Sequence, residues 1–164
     1  PLAFTYPLMK RFTYWPQLFL GITFNYGLIL GWTAIKGQID FLPVILYIGA
    51  IFWTLGYDTI YGFQDIKDDE IIGLKSASIK FKDNANSFIF LCYLILCLTL
   101  LIVGYLTNSN FYFFIFMILP ISHLFFYQLI KFDSNNSVKC LSVFKSNNFF
   151  GLLIFINIII GKIF

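Results

Sequence analysis

Residues 41–70, FLPVILYIGAIFWTLGYDTIYGFQDIKDDE, carry a long apolar run that ends in an acidic stretch. As a helix rising ~1.5 Å per residue, residues 41–61 cover a hydrocarbon core of ~30 Å, which predicts a membrane span. The chain has eight acidic residues, and five of them (Asp58, Asp65, Asp68, Asp69 and Glu70) fall here. If one helix continues through the run, Asp58, Asp65 and Asp69 are spaced seven and four residues apart. That spacing places them on one stripe, with Tyr61 and Asp68 flanking it. A carboxylate at the bilayer centre costs about 2.5–3.5 kcal/mol on insertion scales, so such a stripe must face water or a cation. Stacked carboxylates at a membrane boundary are hard oxygen ligands, suited to Mg²⁺ or Ca²⁺. A solvated helix end explains Glu70, and Asp68 fits either reading. Asp58, inside the apolar segment, is not explained that way.

Working outward, four more apolar segments are visible at residues 15–35, 87–106, 111–130 and 148–163. A mean hydropathy of +0.82 describes an integral membrane protein. Unbroken apolar runs without alternation predict helices rather than a barrel. The expected fold is all-α, a polytopic transmembrane helical bundle with five spans and a single domain over residues 1–164. Polar stretches at 62–86 and 131–148 then share one membrane side with Lys10 and Arg11. Nine basic residues (Lys10, Arg11, Lys67, Lys75, Lys80, Lys82, Lys131, Lys139 and Lys145) collect there, against Lys36 and Lys162 opposite. The positive-inside rule makes that face cytoplasmic. No basic cluster points to nucleic acid. Cys92, Cys97 and Cys140 lack metal-ligand spacing and read as small apolar residues. His123 reads as a hydrogen-bonded interior residue, Trp32 and Trp53 as packing or boundary residues, and Gly21, Gly27 and Gly31 as sites of close helix packing.

The stretch Tyr6-Pro7-Leu8-Met9-Lys10-Arg11-Phe12-Thr13-Tyr14-Trp15-Pro16-Gln17 has two readings. Basic and aromatic residues belong at an ordinary cytoplasmic interface. They also suit an anionic substrate, since the arginine fork matches phosphate or carboxylate.

With these residues in view, the chain resembles a UbiA-superfamily prenyltransferase. Asp58-Thr59-Ile60-Tyr61-Gly62-Phe63-Gln64-Asp65-Ile66-Lys67-Asp68-Asp69 is similar to the family's second aspartate-rich motif, D-x-x-Y-x-x-x-D-x-x-D-D. Gly73-Leu74-Lys75-Ser76-Ala77-Ser78-Ile79 resembles the loop that follows it. Tyr6-Pro7, Lys10-Arg11, Thr13 and Pro16-Gln17 resemble the 4-hydroxybenzoate polyprenyltransferase branch, whereas haem O synthases carry Asn in place of Pro-Gln. The resemblance runs along the whole chain.

The resemblance implies Mg²⁺-dependent transfer of a polyprenyl group from polyprenyl diphosphate to 4-hydroxybenzoate, at the carbon ortho to the hydroxyl, in ubiquinone biosynthesis. Asp58, Asp65, Asp68 and Asp69 are the implied metal ligands. Lys10, Arg11 and Gln17 are the implied substrate-binding residues, and Arg11 serves either the diphosphate or the benzoate carboxylate. Asp65, Tyr61 and Lys75 are the implied catalytic residues, Asp65 taking the ring proton. Besides these substrates the expected partner is the lipid bilayer, with the bacterial inner membrane expected ahead of the mitochondrial one. The family has nine membrane helices and a first aspartate motif, N-D-x-x-D-x-x-x-D, which has no match here. The chain is therefore expected to be the C-terminal five spans, with an apolar groove left open and no activity in isolation. A relative using a naphthoate or protohaem acceptor, a divalent-cation channel piece and a non-catalytic remnant are the competing readings.

Overall fold

The computed structural model describes residues 2–5 and 8–163. Tyr6 and Pro7, part of the branch-specific stretch, lie outside the described residues. Five helical spans are present among the described residues: Pro16–Lys36, Phe41–Gly62, Lys82–Leu106, Phe111–Lys131 and Ser137–Ile163. They match the five apolar segments, and no strand occurs among the described residues.

Proline in the opening turn starts the first span, where its missing N–H costs no helix bond. The span is interrupted at Asn25, whose side-chain amide reaches Gly21 O at 2.9 Å and, on the second span, Ala50 O at 3.1 Å and Thr54 Oγ1 at 2.8 Å. Gly37, at φ 72°, closes the span in the left-handed conformation that glycine tolerates. Asp40 precedes the second span and accepts the Trp32 indole N–H at 3.1 Å.

The second and third spans pack most closely. A Cβ on Gly49 would overlap Thr99 Oγ1, and one on Gly56 would lie 2.8 Å from the Tyr93 ring. Small residues let membrane helices approach in this way. Gly49→Ala is therefore expected to cost about 1–3 kcal/mol through overpacking. Thermal unfolding in micelles measures it, with Gly27→Ala as the unaffected control. Gly21 also packs closely, since a Cβ there would meet Ile51 O at 3.0 Å. Gly27 and Gly31 do not, because nothing lies within 4 Å of either. Both instead line an open apolar groove of 290 Å³ with Leu28, Trp32, Ile35, Leu42, Pro43 and Leu46.

The fourth span carries Pro120 and then a π-helical turn, His123–Gln128. The fifth is longer than its apolar segment: Ser137–Lys145, within the polar stretch, is helical and buries Cys140 and Val143. A break at Ser146 separates it from Asn147–Ile163. The break and the π turn bring Asn147 and Gln128 together in the core. Trp53, expected as a packing or boundary residue, donates its indole N–H to Asn147 Oδ1 at 2.9 Å. Gln128 Nε2–H donates to the same oxygen at 3.2 Å, and the Tyr93 hydroxyl donates to Gln128 Oε1. One polar chain thus joins the second, third, fourth and fifth spans. His123 is hydrogen-bonded to the Ser146 backbone, as expected of an interior histidine; its buried Nε2 has no partner, and its ring packs against Tyr127 and Phe149. The three cysteines are free and buried, Cys92 and Cys97 as their apolar surroundings implied.

Candidate functional site

The helix does not run on through the acidic stretch. It ends at Gly62, and a second, short helix covers Ile66–Ile72. Phe63 and Ile66 are buried, and Phe63 packs against Phe132 at 5.3 Å between ring centroids. The backbone turns where these two apolar side chains enter the core, so the single stripe of a continuous helix does not form. Asp65 stands at the head of the short helix, with Asp68 and Asp69 in its first turn. Carboxylates there meet the favourable end of the helix dipole.

Despite the break, one cavity of 240 Å³ gathers Asp58, Asp65 and Asp69 with Lys10, Tyr61 and Gln17. The Lys10 ammonium donates to Asp69 Oδ2 at 3.0 Å, and Asp69 is only 7% exposed. Asp58 and Asp65 form no ion pair among the described residues. Gln17 is buried, and its Oε1 accepts the Ala77 backbone N–H at 2.9 Å. Its carbonyl is committed to the scaffold, and its amide nitrogen is the end near Gly62.

Three residues expected at the site stand elsewhere. Asp68 lines a separate cavity of 260 Å³ with Gln64, Lys67, Lys82, Ser134 and Asn135, and Asp65 borders both cavities. Arg11 is exposed beside Lys10 and does not line the acidic cavity. Lys75 touches the site through its backbone, its N–H donating to Lys10 O at 2.7 Å, while its ammonium lies 5.6 Å from the Tyr14 ring centroid. Glu70, read as a solvated charge, pairs with Lys82 at 2.7 Å on the outer side of the helix.

Among the described residues, no three His, Cys, Asp or Glu side chains are gathered closely enough to hold a metal ion by themselves. The donor set still fits Mg²⁺, which binds through one or two carboxylates and completes its shell with water and substrate phosphates. Oxygen donors without sulfur or imidazole suit that hard cation.

Sequence reasoning did not find the residues that hold this geometry. Ser78 donates through Oγ to the Thr59 carbonyl at 2.8 Å, and the Tyr93–Gln128–Asn147–Trp53 chain braces the second span. The signal available was polar side chains within apolar segments, Gln128 and Tyr93 among them.

The profile described as the UbiA prenyltransferase family matches residues 1–158. The chain is 42% identical over 165 residues to the mitochondrial 4-hydroxybenzoate polyprenyltransferase of Bos taurus, covering 99% of this chain and 44% of the relative. The corresponding protein of Rattus norvegicus is 40% identical, with 99% of this chain and 44% of the relative covered. The 4-hydroxybenzoate geranyltransferase 2 of Lithospermum erythrorhizon is 40% identical, with 100% and 54% covered. The chain thus spans about half the length of the relatives it matches. No solved structure matches it.

Proposed function

Because the chain belongs to the UbiA prenyltransferase family, we propose that it forms part of a 4-hydroxybenzoate polyprenyltransferase. The reaction moves a polyprenyl group from its diphosphate to the ring carbon ortho to the acceptor's hydroxyl, a step of ubiquinone assembly. The observation that carries this reading is the single cavity uniting Lys10 with Asp58, Asp65 and Asp69 at the end of an apolar span.

Asp58, Asp65 and Asp69 would hold Mg²⁺ together with the substrate diphosphate. When bound, that ion neutralises the leaving diphosphate as a Lewis acid. Lys10 adds fixed positive charge where negative charge develops, and Arg11, exposed beside it, would meet the anion or the acceptor carboxylate. Lys75 acts on the site by holding the Lys10 backbone. Asp65, which lines the cavity with no ion pair among the described residues, would take the ring proton, with Tyr61 lining the same wall. Asp68 is a peripheral member of the set, reaching the site through its neighbour Asp65. From Tyr61 an aromatic row continues through Phe144 at 4.7 Å to Tyr57 at 5.7 Å and Trp53 at a further 5.3 Å. Such a row suits an isoprenoid tail and keeps water from the reacting carbon. The two mammalian relatives are named as mitochondrial, which favours the mitochondrial inner membrane over the bacterial one. A cation pathway is disfavoured, because the Lys10 ammonium stands among the acids it would use.

The test uses the complete reading frame that contains these residues, in membranes with a polyprenyl diphosphate and a panel of acceptors. Mg²⁺-dependent prenylation of 4-hydroxybenzoate is expected. Transfer only to a naphthoate or to protohaem would overturn the acceptor, and no transfer to any acceptor would overturn the reading.

A further inference from the structure

The helix break after Gly62 has a specific chemical cause. In a continuing α-helix the Thr59 carbonyl would accept the Phe63 N–H. Here the Phe63 N–H donates to Ile60 O at 3.2 Å, and the Gln64 N–H donates to Tyr61 O at 2.9 Å. The last turn has tightened at its end. Ser78 Oγ–H donates to the buried Thr59 carbonyl at 2.8 Å. Its segment is tied down on both sides: the Lys75 N–H donates to Lys10 O, and the Ala77 N–H donates to Gln17 Oε1. Ser76, Ala77 and Ser78 are all buried. Gly62 makes room for this approach, since a Cβ there would overlap Ser78 Oγ and lie 3.4 Å from Gln17 Nε2.

We propose that Ser78 is a positioning residue: its hydroxyl takes the Thr59 carbonyl, fixes the break after Gly62, and so sets Asp65 and Asp69 against Asp58. In the straight helix the Phe63 N–H would return to the Thr59 carbonyl, and the strap seated against Gly62 and Thr59 holds the chain in the turned course instead. The strap Lys75–Ser78 thus holds Lys10, Gln17 and the end of the second span in one register. This inference rests on reading the cavity as the divalent-ion and diphosphate site.

The experiment compares the unaltered complete protein with Ser78→Ala in nanodiscs, by two independent readouts. Hydrogen exchange of residues 59–69 should quicken in the variant, because the break loses its fixing bond. The Mg²⁺ concentration for half-maximal rate and the KM for polyprenyl diphosphate should rise about ten- to a hundredfold, the scale of a small misplacement, with the acceptor KM unchanged. Should Ser78→Ala not accumulate, Ser78→Cys keeps the size with a weak donor and should move both readouts the same way. Unchanged exchange at 59–69 overturns the proposal whatever the activity. Faster exchange with an unchanged Mg²⁺ requirement overturns it too, leaving Ser78 a purely structural group. If the unaltered protein transfers no prenyl group to any acceptor, the functional reading fails, and the exchange comparison still decides the strap.

Discussion

Asp58→Asn and Asp65→Asn, made in the complete protein, are each expected to lower kcat on the order of a thousandfold, the scale seen when one preorganised electrostatic contact is removed. Asparagine keeps the size and hydrogen-bonding shape of the side chain while deleting the charge that a divalent ion requires. Excess Mg²⁺ should restore little. Steady-state kinetics with 4-hydroxybenzoate and a polyprenyl diphosphate measure the loss. Asp68→Asn should be milder than either, because Asp68 lines the neighbouring cavity and touches the site only through Asp65. Glu70→Gln should leave the rate nearly unchanged. It removes only an exposed pair with Lys82, a type of contact worth about 0–1 kcal/mol. Full activity of Asp58→Asn combined with inactivity of Glu70→Gln would place the metal on the other face of the short helix.

Asn147→Ala is expected to produce the largest loss of stability. Its Oδ1 accepts from both Trp53 and Gln128, so the substitution strands two donors in the core. A single interhelical hydrogen bond in a membrane averages only ~0.6 kcal/mol. A buried donor left without a partner costs about 1–3 kcal/mol, so two donors place the expected loss at about 2 kcal/mol or more. Unfolding in micelles measures it. Asn157→Leu is the matched control: Asn157 is also buried in the fifth span, but its Oδ1 has no partner. Removing that unsatisfied oxygen should be neutral or stabilising. A large loss at Asn157 with none at Asn147 would remove the polar chain from the account of how the spans are held.

The number of spans and their approximate limits were legible in the amino-acid order. An apolar run either covers the hydrocarbon thickness or does not. Asp58, Asp65, Asp69 and Lys10 were legible for a related reason, since charge in so apolar a chain must serve some polar partner. The route by which these acids meet was not legible. The spacing pointed to one straight stripe, whereas the chain breaks at Phe63 and still gathers Asp58, Asp65 and Asp69 in one cavity. That break sends Asp68 to the other side of the short helix. The Thr59 carbonyl is met by a hydroxyl 19 residues away. Gln17 is likewise committed by a backbone N–H 60 residues distant, and Trp53 by Asn147 at a separation of 94. Hydropathy and helical period are properties of neighbouring residues. A buried polar group must be satisfied by whatever donor the packed spans bring to it, and only the tertiary structure decides which donor that is.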